Sequence, residues 1–413
     1  MDVMLLAGTR PEALKLAPLA LALHAHSALR PILVHSGQHA GMVEQALVPF
    51  GLAVDAWLDV PPRISGSQAE LVAGLLPALD DALRRHAPAA LVVQGDTTTT
   101  LAGALAAFWL GIPVVHLEAG LRTHDLAAPF PEEGARQMVS RLAALHLAPT
   151  LAAAAELRAE GVARQRIAVT GNTVVDAVLE IAARDLPARD TALALLEMEI
   201  AEAGERLVLV TSHRRESWGE PLERTLAAVQ LIVAEHPDVR VLFPAHPNPR
   251  VRDQVEAALD GLPRVTVTDP LEYPDLVRAL RLASLVLTDS GGIQEEAPTF
   301  GTPVLVLRDV TERAEVVAAG CAWLVGTDTA RIADTAARLL RGDLRTTQVG
   351  NPYGAGNAAL LAVAAIAEFL GAGSRSKVRE CRSESWGRCN TAWLRGWVVV
   401  RVRKFRWLPR SVV

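Results

Sequence analysis

A short apolar run at residues 285–288 breaks at Ser290-Gly291-Gly292 and resumes as a helical stretch over residues 293–300. The glycines permit close backbone approach, and the unpaired N–H groups of a helix start point at whatever binds there. Such a turn suits an anion, and a phosphate fits it. Glu295 and Glu296, one turn in, suit the helix dipole and can accept hydrogen bonds from a ribose. A plain capped strand-to-helix turn has the same letters, so the other polar clusters must decide between the two readings.

Those clusters have a common form. Gly8-Thr9-Arg10-Pro11-Glu12-Ala13-Leu14-Lys15 follows an apolar run. Pro11 is preorganised for a first helical turn, and Arg10 and Lys15 are two cations suited to phosphate. Lysine occurs only at positions 15, 377 and 404. In a chain that writes nearly every cation as arginine, Lys15 is marked out, because a compact ammonium and a planar guanidinium are not interchangeable. Asp96, after the run at 90–94, is either a helix cap or a catalytic carboxylate. Glu118 ends another apolar run, where a desolvated carboxylate must be paired or used; Arg122 is near enough to pair with it. Glu132 and Glu133 stand together at a helix start. His213-Arg214-Arg215 is a dense cation cluster, and residues 246–249 and 308–313 supply further polar loops.

These residues need a scaffold that brings strand ends together. From residue 3 to about 170, apolar strands (3–7, 31–35, 90–94, 114–118, 146–148, 167–169) alternate with helices (12–25, 42–50, 68–86, 98–110, 131–142, 151–160). A helical, polar connector spans about 176–203. A second series follows, with strands at 207–211, 240–244, 265–267, 285–288 and 304–307 and helices at 222–235, 250–259, 275–283, 293–300 and 330–340. One apolar helix closes it at 358–370. Alternation of this kind predicts parallel sheets covered by helices on both faces. The expected fold is α/β, with two doubly wound domains facing a central cleft and ligands at the carboxyl ends of the strands.

Composition bounds the class. The chain has 413 residues and a formal charge of −5. No run of about 20 apolar residues exists, so no membrane span is expected. The first residues read as a strand and not a signal peptide, which makes the cytoplasm the expected compartment. Three cysteines without metal spacing argue against a disulfide framework or a zinc site. Residues 372–413 differ from the rest: they carry 11 Lys/Arg against 2 Asp/Glu and 4 of the 8 tryptophans. Without them 30 basic and 44 acidic residues remain. This basic tail reads as an appended segment outside the fold, the other reading being a membrane-surface or nucleic-acid arm.

Taken in order, the polar clusters resemble one family, the non-hydrolysing UDP-N-acetylglucosamine 2-epimerases. The matching stretches are GTRPEALK (8–15), GDTTTT (95–100), HLEAGLRT (116–123), PEE (131–133), GNT (171–173), HRRES (213–217), DPLEY (269–273), TDSGGIQEEA (288–297), RDVTER (308–313) and NPYG (351–354). The resemblance implies two Rossmann-like domains of the glycosyltransferase-B type. Residues 1–174 would form the first, with a helix near 356–371 packing back on it, and residues 175–355 the UDP-binding second. It implies inversion at C2 between UDP-N-acetylglucosamine and UDP-N-acetylmannosamine, through elimination of UDP to 2-acetamidoglucal and re-addition. No cofactor, no NAD and no nucleic acid partner is implied, and a homodimer is. Asp96, Glu118, Glu132 and His213 match catalytic positions. Arg10, Lys15, Ser290, Gly291, Gly292, Glu296 and Arg313 match substrate-binding positions, and Leu271 and Leu276 fall in the uracil slot.

Departures accompany the match. Leu271 and Leu276 stand where some relatives have glutamine and an aromatic residue, so stacking on the base is lost. Gln38 and His39 keep a family pair, but Ala40 and Gly41 replace polar residues of a segment that helps bind an activating second substrate molecule. Phe130, His124 and Ala314 replace a common Trp, Gly and Pro. Two other activities share much of this pattern: a hydrolysing epimerase that releases UDP and free N-acetylmannosamine, and a glycosyltransferase of the same architecture. A nucleotide-sugar-binding regulator without turnover is a third alternative, which retention of Asp96, Glu118, Glu132 and His213 disfavours.

Overall fold

The computed structural model describes residues 1–372 except 39, 40, 62, 63, 348 and 349. Among these residues, seven strands form one parallel sheet: β1 (Asp2–Ala7), β2 (Arg30–His35), β3 (Ala56–Trp57), β4 (Ala90–Gln94), β5 (Val114–Leu117), β6 (Leu145–Ala148) and β7 (Ile167–Val169). Six more form a second: β8 (Arg206–Thr211), β9 (Val239–Pro244), β10 (Val265–Thr268), β11 (Ala283–Thr288), β12 (Val304–Val306) and β13 (Ala322–Leu324). The spatial orders are 3-2-1-4-5-6-7 and 10-9-8-11-12-13. Each order reverses at one point, between β1 and β4 in the first sheet and between β8 and β11 in the second. Loops leave such a point in opposite directions and open a crevice at the strands' carboxyl ends.

Both faces of each sheet are covered. In β1, Val3 and Leu5 enter one core and Met4 and Leu6 another. In β8, Val208 and Val210 face one helical layer, Leu207 and Leu209 the other. This two-sided burial is why the strands read as unbroken apolar runs, with no polar alternation. Two strands are absent from the sequence reading, β3 and β13, of two and three residues. They are recognisable only by pairing with β2 and β12.

The connector at 176–203 is helical as expected, in two helices, Thr173–Ala183 and Thr191–Ala203, but the first is not polar. The first is structural: Ala177, Val178 and Ile181 pack in the core of the first sheet, while Val174 and Val175 pack in that of the second. Helix Ala358–Leu370 returns to the first sheet, burying Ala362, Val363 and Ile366 beside Val3 and Leu5. The two connections cross at Gly171 and Tyr353. Asn172 N donates to Tyr353 O at 2.8 Å, and Asp176 accepts from Ala358 N and Ala359 N. A Cβ on Gly171 would lie 2.9 Å from Tyr353 O, and φ there is +86°.

Gly171→Ala should therefore destabilise the chain by about 1–3 kcal/mol in urea unfolding, from left-handed strain plus a backbone clash. Gly161→Ala is the control, with φ +87° and open space around the new Cβ. It should cost less than Gly171→Ala; equal losses would show that the crossing contact contributes nothing.

Candidate active site

The switch point of the first sheet is held by Glu12. Its buried carboxylate accepts from Gly8 N (3.0 Å), Thr9 Oγ1 (2.8 Å), Thr97 Oγ1 (2.6 Å) and Thr100 Oγ1 (3.0 Å). The loop after β1 is thereby sewn to the helix after β4. Gly8 has no room for a side chain, since a Cβ would lie 2.2 Å from Thr99 Oγ1. The threonines of residues 97–100 are thus structural. Thr97, not Asp96, caps the helix Thr98–Trp109 through Thr100 N. Asp96 is freed from capping and accepts instead from Arg136 Nη2 at 2.6 Å.

Glu118 follows β5, the strand beside β4, and takes φ +64°. A non-glycine residue there stores strain of order 1–3 kcal/mol. The buried carboxylate receives Lys15 Nζ at 2.5 Å and Gln94 Nε2 at 2.7 Å, with Arg313 Nη2 at 3.8 Å. The expected partner Arg122 is turned away: its Nε and Nη2 grip Glu160. Lys15 also reaches Glu295 of the second sheet's helix at 2.9 Å, and Arg313 Nε meets Glu295 Oε1 at 2.9 Å. Burial alone would lower the Lys15 pKa, but Glu118 and Glu295 outweigh it and hold the ammonium above the ordinary lysine range. Two cations and two carboxylates, from both sheets, form one buried cluster.

On the second sheet, His213 follows β8 and Asp289 follows β11, across that sheet's switch point. Asp289 accepts from His213 Nδ1 (2.8 Å) and from the N–H groups of His213 and Arg214 (both 3.0 Å). Burial opposes its charge, yet these donors hold the carboxyl down at about 2. The His213 ring stays half exposed. The helix after Ser290 begins at Gly291, two residues before the sequence-based start, and ends as a 3-10 turn at Ala297–Phe300. Ser290 stands at the N-cap position but its side chain caps nothing. Arg313 and Glu312 crowd Gly291, where a Cβ would lie 3.3 Å from each. Glu296 is buried beside Glu295 and accepts from Tyr273 OH at 3.3 Å; burial first, then the Glu295 charge, push its carboxyl up to about 7.

The remaining expected residues divide. Arg10 opens the helix Arg10–His24, and its charge acts on Glu296. Glu132 starts the helix Glu132–Leu142, partly exposed and without a hydrogen bond or ion pair among the described residues. Its neighbour Glu133 is structural, gripping Thr123 N (3.1 Å) and His124 N (3.3 Å). Leu271 is packed in the core of the second sheet and Leu276 half-buried beside it, so any contact of this turn with a base falls to the backbone. His39 and Ala40 lie outside the described residues, as do residues 373–413. Sequence reasoning missed Asp289, Gln94 and Arg136 as partners of the site, and gave Glu295 a ribose role where the structure pairs it with Lys15 and Arg313. Asp289 carried a usable signal, an acid ending an apolar strand, the argument that singled out Glu118.

Comparison with known proteins places this geometry. The model of the UDP-N-acetylglucosamine 2-epimerase family matches residues 21–367. The UDP-N-acetylglucosamine 2-epimerase of Yersinia pestis is 42% identical over 362 residues, covering 87% of this chain and 96% of that protein. A structure of UDP-GlcNAc 2-epimerase from Neisseria meningitidis bound to UDP-GlcNAc superposes with a TM-score of 0.81 at 36% identity, over 89% of this chain and 100% of that one. The Methanocaldococcus jannaschii UDP-GlcNAc 2-epimerase in complex with UDP-GlcNAc and UDP gives 0.74 at 29% identity, with 89% and 100% covered. A family match over most of the chain, relatives of this identity and two parallel sheets with paired switch points agree: the chain belongs to the UDP-N-acetylglucosamine 2-epimerase family.

Proposed function

We propose that this chain interconverts UDP-N-acetylglucosamine and UDP-N-acetylmannosamine without hydrolysis and without a cofactor. The observation that carries the reading is one of placement. Asp96 and Glu118 stand at neighbouring strand ends of the first sheet, and Lys15 and Arg313 join Glu118 to the helix that follows Ser290 on the second. Proton-transfer groups thus face an anion-holding turn across the cleft. The solved relatives with UDP-GlcNAc bound support the nucleotide sugar as substrate.

The C2 proton of the sugar is weakly acidic, so a fixed carboxylate must take it while the C1–O bond to UDP breaks and C1=C2 forms. In the return step UDP adds to C1 of 2-acetamidoglucal, and C2 receives a proton on the opposite face from a second group. Asp96, Glu118 and Glu132 are the groups proposed for these transfers. Charge developing on the departing diphosphate is met by His213, Lys15, Arg10, Arg313, the Ser290 hydroxyl and the N–H groups of Gly291 and Gly292. Glu296 holds the ribose, and the turn at Leu271 and Leu276 lies along the uracil. In this reading residues 175–355 hold UDP, residues 1–174 with the returning helix near 356–371 carry the proton chemistry, and the chain works as a cytoplasmic homodimer.

Proton NMR of the protein with UDP-N-acetylglucosamine in deuterated water tests the chemistry. Deuterium at C2 together with a UDP-N-acetylmannosamine signal is expected; UDP with free N-acetylmannosamine would instead establish the hydrolysing activity. Asp96→Asn should lower kcat by about 10²–10⁴-fold while leaving UDP affinity near wild type.

Glu296 gives a pH signature. With its carboxyl at about 7, the free protein carries it partly protonated at pH 6.5. Ribose hydroxyls donate to the carboxylate, so UDP binding should release a proton and UDP affinity should rise from pH 6 to 8. Calorimetry in buffers of different ionisation enthalpy reads the proton count. Glu296→Gln should abolish the release, and proton uptake would rule out the ribose role.

A further inference from the structure

We propose that Arg136 is a positioning residue for Asp96, locking it to the helix that begins at Glu132. The inference rests on the reading in which Asp96 handles the C2 proton. Because Thr97 supplies the helix cap, the Asp96 side chain has one hydrogen bond among the described residues, from Arg136 Nη2 at 2.6 Å. The Arg136 side chain is 5% exposed and that of Asp96 27%. A cation inside the protein therefore holds a carboxylate at the rim of the cleft. Surface ion pairs have the opposite arrangement, with both ends in water and little held fixed.

The same guanidinium faces a second carboxylate, with Nη1 3.4 Å from Glu133 Oε2. Glu133 is fully buried and accepts from Thr123 N, His124 N and Gln137 Nε2. A continuous polar path thus runs from Asp96, after β4, through Arg136 and Glu133 to the loop that leaves Glu118, after β5. Glu132 begins the helix that carries both Glu133 and Arg136. A planar fork can serve two carboxylates at fixed angles, which a point charge cannot. Asp96 is fixed from its backbone side too. His116 on β5, buried and kept neutral, donates Nε2–H to Gly95 O at 2.7 Å, orienting the peptide that precedes Asp96. An ion pair serving only stability would not need a half-open carboxylate at its outer end.

The test compares full-length Arg136→Gln, Arg136→Lys and Asp96→Asn with wild type, using UDP-N-acetylglucosamine turnover and calorimetric UDP affinity. Misplacing a reacting group by about an ångström costs about 10²-fold in rate, so Arg136→Gln should lose about that factor in kcat, with KM and UDP affinity near wild type. Arg136→Lys should regain part of the loss, since an ammonium still reaches one carboxylate. If Arg136→Gln does not fold, Glu133→Gln combined with Arg136→Gln removes both buried charges and is read in the same way. Wild-type kcat in Arg136→Gln, a parallel worsening of KM and UDP affinity, or no recovery with lysine would overturn the proposal. Asp96→Asn separates the two levels: full turnover there would sink the reading of Asp96 itself. An inactive Asp96→Asn beside a fully active Arg136→Gln would remove only the positioning role.

Discussion

The structure depends on a buried charge cluster that joins the two sheets. Lys15 and Glu118 come from the first sheet, Glu295 and Arg313 from the second, and contacts of 2.5–3.8 Å link them. Taking any one from water costs several kcal/mol, and removing one partner from such a group typically costs about 3–5 kcal/mol because its neighbour is left charged and unpaired. The cluster therefore stands or falls as a unit. Its members belong to different sheets, so the cluster also sets how the two sheets meet. In the proposed reading, a diphosphate adds negative charge beside two cations already paired with carboxylates, which would put substrate binding and the state of Glu118 in one electrostatic system.

Around this cluster the two sheets use the same device. Each presents a pair of loops that diverge at a topological switch point, and in each a buried carboxylate ties the pair together. Glu12 accepts hydroxyl and N–H donors from both loops of the first sheet, and Asp289 accepts from His213 and Arg214 of the second. Their ionisation differs with their donors. Asp289 faces an imidazole and two backbone N–H groups and stays strongly acidic; Glu12 is met by hydroxyls and one backbone N–H, and burial raises it. Neither is free to exchange protons with a ligand. Asp96 and Glu132, proposed for proton transfer, are less enclosed, and Glu118, proposed with them, is strained.

Some of the stretches that match the family serve geometry. Asn172 caps the helix Thr173–Ala183, and Thr173 Oγ1 donates to Lys15 O at 2.6 Å, bracing the helix that carries the lysine. Asn351 donates to Glu295 O and Thr299 Oγ1, bracing the helix that carries Glu295. The stretches at 171–173 and 351–354 sit where the chain crosses between sheets, and each supports one side of the charge cluster. Glycine and asparagine at these positions answer to backbone crowding and capping.

The sequence by itself determined the two alternating series, most strand cores and the polar loop after each strand, because apolar runs and punctuating Gly, Pro and Asp act locally. Helices 68–86 and 358–370 have the bounds their periodicity implies. It also singled out Lys15, through the scarcity of lysine, and Glu118, through the cost of a carboxylate ending an apolar strand. Partners were beyond it. Arg122 is four residues from Glu118 and pairs with Glu160, while Lys15, 103 residues away, takes the carboxylate. Short edge strands and the dual-core helix Thr173–Ala183 were equally hidden, since pairing and burial exist only between segments. A residue type fixes what a side chain can do; only the folded chain decides which charge it is left to neutralise.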